Sequence, residues 1–337
     1  MSSNIFVSVC MITYNHEKYI SQAIEGVLLQ RTDFPIELII GEDCSTDKTR
    51  EICIAYQQKY PSIIKLQLSE NNKGMMRNFF ENLKAAKGKY IALCEGDDYW
   101  TVPFKLQKQV DFLELHEDVS MCFHDAEIID VKRNVLGNHR RYNKDQYASI
   151  KNLILGGGGF CPTASLMFRT QYITSDYPDF CLKCHIGDYA LQLYLSTKGK
   201  VFYFDNVMSI YRYGVSDSWS HSFQKTEFSL KAGKWISEFD MLDGIDALFG
   251  FKYSSVITKK KGRFFIKAIL LPNKNMKSEI KKVFEKYLST FHLEEKIEVF
   301  LIYHAFFLYH ITSKFLFYTR LSCKMPRYIW LKFCKPR

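Results

Sequence analysis

Apolar positions in the first third of the chain follow two alternating patterns. IFVSVCMIT (5–13), IELIIG (36–41), IIKLQL (63–68) and KYIALC (89–94) are short, near-continuous apolar runs, as expected of strands buried on both faces. Between them, apolar residues recur at spacings of three and four. Tyr19, Ile20, Ala23, Ile24, Val27 and Leu28 do so within 17–30. Ile52, Cys53 and Tyr56 follow the capping residues Ser45 to Asp47. Met75, Met76, Phe79, Phe80 and Leu83 form a third set, and Phe104, Val110 and Leu113 a fourth within 103–116. These spacings predict helices. The alternation predicts an α/β fold with a mainly parallel central sheet flanked by helices.

The pattern after 116 is less regular. VSMCFHDAEIID (119–130) predicts a strand and its exit. LGGGGFCPTASLMFR (155–169) reads as a flexible Gly-rich loop entering a strand, and HIGDYALQLYLSTKG (185–199) as a loop and helix. KVFYFD (200–205) predicts a strand, and YRYGVSDSWS (211–220) a mobile polar and aromatic loop. Helical patterns dominate from about residue 222 onward.

In parallel α/β sheets, ligands bind beyond the carboxyl ends of the strands. Here those ends carry Thr13-Tyr14-Asn15, Glu42-Asp43 and Glu95-Gly96-Asp97-Asp98. Three carboxylates within four residues repel one another unless something cationic joins them. Mg²⁺ or Mn²⁺ held by one or two carboxylates and bridging to a diphosphate would relieve that repulsion. Asp43 is placed to accept from a base N–H or a ribose hydroxyl, whereas Asp47 reads as a helix cap. The lone pair Cys181/Cys184 lacks the second pair a zinc site needs. Gly156 to Gly159 lacks the GK[ST] ending of a phosphate loop and reads as a flexible loop.

Several of these segments together carry a resemblance. VSVCMITYNHEKYISQAIEGVLLQ, IELIIGEDCSTDKT and NNKGMMRNFFENLKAAKGKYIALCEGDDYW resemble, in order and spacing, the N-terminal half of family-2 glycosyltransferases, inverting enzymes of the GT-A fold that use nucleotide-diphosphate sugars. The likeness covers about 1–115, resumes at 161–169 and 185–220, and fades after about 225.

The resemblance implies that Thr13, Tyr14 and Asn15 lie at the nucleotide and that Asp43 binds the base. It places Arg77 near the nucleotide or its diphosphate and Asp97 at the ribose and donor sugar, and makes Asp98, with Asp97, the metal-binding pair. Relatives often have Asp where this chain has Glu95 and Gly96, so a two-Asp DxD motif is missing, which leaves Glu95-x-Asp97 or, by preference, the Asp97-Asp98 pair. Asp188 falls at the position of the catalytic base, with His185 a possible substitute. Arg212 and Trp219 match a late loop over the diphosphate, in which Gly214 replaces a frequent histidine and His221 lies nearby. Thr163, Ser165 and His185 are expected at the acceptor cleft. The implied organisation is a catalytic domain over 1–225, divided into a nucleotide-binding half (1–115) and an acceptor half (116–225). A helical, basic and aromatic region follows over 226–337.

The expected activity is metal-dependent sugar transfer from a nucleotide-sugar, a UDP-sugar by preference, to a hydroxyl of a glycan or lipid-linked acceptor, as in cell-surface polysaccharide synthesis. The alternative is a catalytically inactive sugar-nucleotide-binding or membrane-associated module, which Gly96 and Gly214 keep open. A nucleotidyltransferase needs a Gly-rich basic loop after the first strand, where TYNHEKY has no glycine.

Charge and composition add a membrane question. The net charge of +10 is uneven: 251–337 carries 19 Lys+Arg against 5 Asp+Glu, and the first 250 residues carry 27 against 31. VFLIYHAFFLYHITSKFLFY (299–318) is apolar and aromatic but broken by His304, His310 and Lys314. It reads equally as a helix in the membrane interface or as one packed on the domain. No nucleic-acid partner is expected. Ten cysteines scattered through predicted elements read as free apolar fillers. With an N-terminus lacking a charged leader, they point to the cytoplasm, with possible peripheral attachment to the membrane.

Overall fold

The computed structural model describes residues 5–173, 177–216, 218 and 228–269. The first strands and helices follow the sequence pattern closely: β1 (Val7–Thr13), α1 (Ile20–Leu28), β2 (Ile36–Glu42), α2 (Thr49–Lys59), β3 (Ile64–Leu68), α3 (Met75–Lys84), β4 (Tyr90–Leu93), β5 (Tyr99–Trp100) and α4 (Lys105–Leu115). Then come β6 (Val119–Asp130), β7 (Val135–Asn138), β8 (Gln146–Tyr147), α5 (Ile150–Gly156), β9 (Met167–Arg169), α6 (Asp179–Leu182), α7 (Gly187–Ser196) and β10 (Lys200–Tyr213). Two further helices are α8 (Phe228–Leu248) and α9 (Ser254–Ile269).

The sheet order is β3-β2-β1-β4-β9-β6-β10-β5, with β7 on β6 and β8 on β10. β1, β2, β3 and β4 are mutually parallel, as are β6 and β10, while β9 lies antiparallel between β4 and β6. The period of two decides which core each side chain enters. Val7, Val9, Met11, Leu38 and Ile40 pack with Ile24, Leu106 and Val110 on one face. Cys10, Leu93 and Phe123 pack with Phe79, Leu83 and Leu191 on the other.

The chain divides into two compact units, 1–257 and 258–337. α8 falls in the first. The apolar segment 299–318, Trp219 and His221 lie outside the described residues. Among the described residues no helix is long and apolar enough to cross a membrane.

Two sequence expectations are corrected. Tyr211 to Tyr213 are not loop but the end of β10, which runs 14 residues beside β6. Its register shifts around Asp205 to Ser209 are β-bulges, and the polar residues there resemble a strand end although pairing resumes beyond them. The Gly-rich segment is not a free loop either. Gly158–Phe160 is a 3₁₀ turn, and Arg141 donates to the carbonyls of Phe160, at 2.7 Å, and of Gly159.

Candidate active site

The backbone ladder draws the polar strand ends to one rim. Past the last residues of β2 and β4, Asp43 N–H donates to the Thr13 carbonyl at 3.1 Å and Gly96 N–H to that of Ile12 at 3.0 Å. Thr13, Asp43 and the acidic turn after β4 therefore sit side by side. Gly96 is required there, because a Cβ would lie 2.6 Å from Thr13 Oγ1 and 2.9 Å from His16 Nδ1. We expect Gly96→Ala to cost about 1–3 kcal/mol through overpacking; an unchanged thermal midpoint would show that the turn tolerates displacement.

The nucleotide side is cross-braced. Asn15 is left-handed (φ 54°) and its amide oxygen accepts from Thr46 N–H at 2.9 Å. Its side chain ties the β1 and β2 loops together. Asp47 does likewise, accepting from Thr49 N–H at 2.9 Å and Glu17 N–H at 3.0 Å, which holds its carboxyl below the usual range despite partial burial. Asp43 is buried, and its two oxygens accept the N–H groups of Lys73 (2.8 Å) and Gly74 (2.9 Å), fixing the entry to α3. Tyr14 is half-buried beside Thr13. Arg77 is exposed and pairs with Glu81 at 2.8 Å, one turn along the same helix. Its neighbour Asn78 faces inward and docks α3 on the Gly41 carbonyl at 2.8 Å.

Asp98 is 2% exposed, and its Oδ1 accepts the backbone N–H of Arg212 at 2.9 Å. The Arg212 guanidinium donates to the Asp97 carbonyl and to Gln22 Oε1, and lies between the rings of Tyr19 (5.0 Å) and Tyr99 (4.5 Å). The antiparallel pairing of β10 with β5 delivers it there. Asp97 lies 3.9 Å from His16 Nε2. Burial, reinforced by neighbouring carboxylates, pushes both Glu95 and Asp98 well above the usual carboxylate range.

Asp188 enters from the other half. α7 begins at Gly187, where a Cβ would stand 3.1 Å from Met76 Sδ, so the first turn of α7 closes on the first turn of α3. Asp188 Oδ1 accepts from Tyr189 N–H at 2.7 Å and Oδ2 from the Thr163 hydroxyl at 3.2 Å. Burial pushes its carboxyl up to about 6. Asp188 is among the charges acting on Glu95, and the Gly158 backbone borders it. Thr163 is thus at the site, held there by Trp100 Nε1 donating to the next carbonyl, that of Ala164, at 2.7 Å.

Two expected cleft residues are corrected. Ser165 is fully buried and its hydroxyl donates to the Pro162 carbonyl at 2.6 Å. His185 turns toward α8, with Nδ1 3.3 Å from Ser237 Oγ, and burial lowers it to about 4. Cys181 and Cys184 are buried free thiols in the core.

His16, Gln22, Tyr19 and Tyr99 are neighbours of the site that the sequence did not single out. Gln22 and Tyr19, one turn apart on a helix, had no signal before Arg212 was placed.

Among the described residues, no three His, Cys, Asp or Glu side chains converge into a complete metal cage. A hard cation that keeps substrate phosphates as ligands needs only one or two carboxylates. The crowded Glu95, Asp97 and Asp98 have the character of such a donor set, because burial and mutual repulsion keep Glu95 and Asp98 well above the usual carboxylate range even though the Arg212 charge offsets part of it at Asp98. Arg212 spends its fork on Asp97's carbonyl and Gln22.

Residues 8–174 match the family model described as glycosyl transferase family 2. An uncharacterised protein of Mycobacterium tuberculosis is 35% identical over 219 residues, covering 64% of this chain and 61% of that protein. An uncharacterised glycosyltransferase of Nostoc sp. is 31% identical over 175 residues, 51% of this chain and 53% of the relative. The chain thus spans less than two thirds of either relative. Among solved structures, S. aureus TarS 1-349 in complex with UDP-GlcNAc superposes with a TM-score of 0.65 at 16% identity, covering 88% of this chain and 84% of that 1-349 chain.

Proposed function

This chain is a family-2 glycosyltransferase, and from that premise we propose that it performs an inverting, metal-dependent transfer of a sugar from a UDP-sugar to a hydroxyl of a glycan or lipid-linked acceptor. The observation that carries the reading is the meeting of Asp188, fixed by Thr163 and Tyr189 N–H, with the acidic turn at the rim of the sheet. The UDP-GlcNAc bound by TarS, which shares the fold, supports the choice of donor class.

In this reading residues 1–115 take the donor and 116–225 the acceptor. Thr13, Tyr14 and Asp43 seat the nucleotide. Asp43 is held by two backbone N–H groups and keeps lone pairs for a base N–H. Arg212 keeps the acidic turn in register, and Asp97 faces the ribose and donor sugar. Asp98 and Asp97 would hold Mn²⁺ or Mg²⁺, which supplies Lewis-acid stabilisation of the nucleoside diphosphate leaving group. Asp188 accepts the acceptor hydroxyl's proton as that oxygen attacks the anomeric carbon from the face opposite the leaving group, which inverts the centre. The work belongs to cell-surface polysaccharide synthesis on the cytoplasmic side of a membrane.

The test is a panel of nucleotide-sugars scored by thermal midpoint, with and without Mn²⁺. A UDP-sugar should stabilise the protein by about 3 kcal/mol at a hundredfold excess over its Kd, and more with the cation present. No shift with any nucleotide-sugar would defeat the proposal.

A further inference from the structure

The turn between β6 and β7 is an unusual piece of surface. β6 runs to the rim, where Ile129 pairs with Arg212 and Asp130 with Tyr213. The hairpin therefore projects beyond the sheet within two register steps of the residue that braces the acidic turn. At its tip Val131 is 49% exposed, Val135 61% and Leu136 47%. Three large apolar side chains in six residues stand in water with Lys132 and Arg133, both exposed, between them.

The tip is built rather than loose. Asp130 accepts the N–H groups of Lys132 (2.8 Å) and Asn134 (2.9 Å) and the Asn134 amide at 2.8 Å, and Arg133 takes the left-handed φ of 67° that closes the turn. Residues 131–141 contain four Arg and Lys and no acid. Arg141 is spent on the Gly-rich turn and Arg140 on Asp205 at 2.9 Å. Lys132 and Arg133 form no ion pair among the described residues.

We propose that this hairpin is a membrane-docking element. Val131, Val135 and Leu136 enter the interface of an anionic lipid surface while Lys132 and Arg133 meet its head groups. Exposed apolar residues ringed by cations match the chemistry of that surface, apolar inside and negative outside. A second copy of this chain fits worse. β7 pairs only with β6 among the described strands, but a two-fold pairing along its open edge would bring the same cations face to face. The docking stands on the hairpin alone. Its consequence, that the acceptor half opens toward a membrane-borne acceptor, rests on the proposed transfer reaction.

The experiment uses the full chain and vesicles of phosphatidylcholine with and without phosphatidylglycerol. The paired substitution Val135→Asp with Leu136→Asp should lower vesicle binding by about tenfold or more. Lys132→Gln and Arg133→Gln should each lower binding to the anionic vesicles by about fivefold. Val135→Trp should report a blue-shifted indole, quenched by bromine on the lipid acyl chains. Any contribution of the basic C-terminal residues is common to all variants. The proposal is overturned if the paired Asp variant binds like its parent, if the introduced indole is untouched by brominated lipid, or if sedimentation shows that the variant loses self-association instead. UDP-sugar-induced thermal stabilisation should persist in every variant, so a failed docking test and a failed donor assignment are told apart.

Discussion

Replacing Asp188 with Asn should lower sugar transfer by about 10²–10⁴-fold, the span set by loss of a positioned general base. The amide keeps an acceptor oxygen for Thr163 or Tyr189 N–H, so the start of α7 should hold and donor affinity should persist. The pH profile gives a second reading of the same residue. Burial raises the Asp188 carboxyl to about 6, and a general base works only when ionised. The rate should be level above that value and fall about tenfold per pH unit below it. Initial rates in the parent would show the acid limb, and the variant should lack it. Undiminished transfer in Asp188→Asn would remove Asp188 as the base.

Arg212→Lys should be the most damaging change that keeps the charge. The guanidinium donates in two directions and is flat enough to lie between Tyr19 and Tyr99. An ammonium is a compact point charge with neither property. It would leave the Asp97 carbonyl or Gln22 without its donor, at about 2–3 kcal/mol including the lost ring contacts. The turn that carries Asp97 and Asp98 would then lose its brace. Since misplacing reacting groups by about 1 Å can cost on the order of 100-fold, transfer should fall by 10- to 100-fold. Melting curves and initial rates with varied donor check both halves. A parent-like midpoint and rate would show that Asp98's bond to the Arg212 backbone, which the substitution leaves intact, holds the turn by itself.

Much of the rim that forms the candidate site was legible because its parts are local. Strand ends announce themselves where an apolar run stops, and Thr13, Asp43 and Glu95 to Asp98 each follow such a stop. What stayed hidden was which neighbour each polar group would choose. Asp43 could be read as ligand-facing, but that its oxygens also cap the entry to α3 depends on where Lys73 and Gly74 arrive. Ser165 looked like a cleft residue because it lies two positions from Thr163. The intervening 3₁₀ turn sends the two side chains to opposite environments, one to Asp188 and one into the core. His185 was drawn away by Ser237, a residue 52 positions later.

The sequence by itself determined the alternation of buried strands and amphipathic helices, the parallel half of the sheet, and the rim on which the carboxylates gather. All of these follow from short-range periodicity and from the burial it demands. Tertiary structure alone decided that β10 would continue through its bulges to set Arg212 against the acidic turn. It also decided that α7 would bring Asp188 to Thr163 and toward Glu95, and that a basic hairpin would stand beside them. Those contacts join residues 25 to 190 positions apart, and pairing at that range depends on the packing of the whole domain, which no local pattern records.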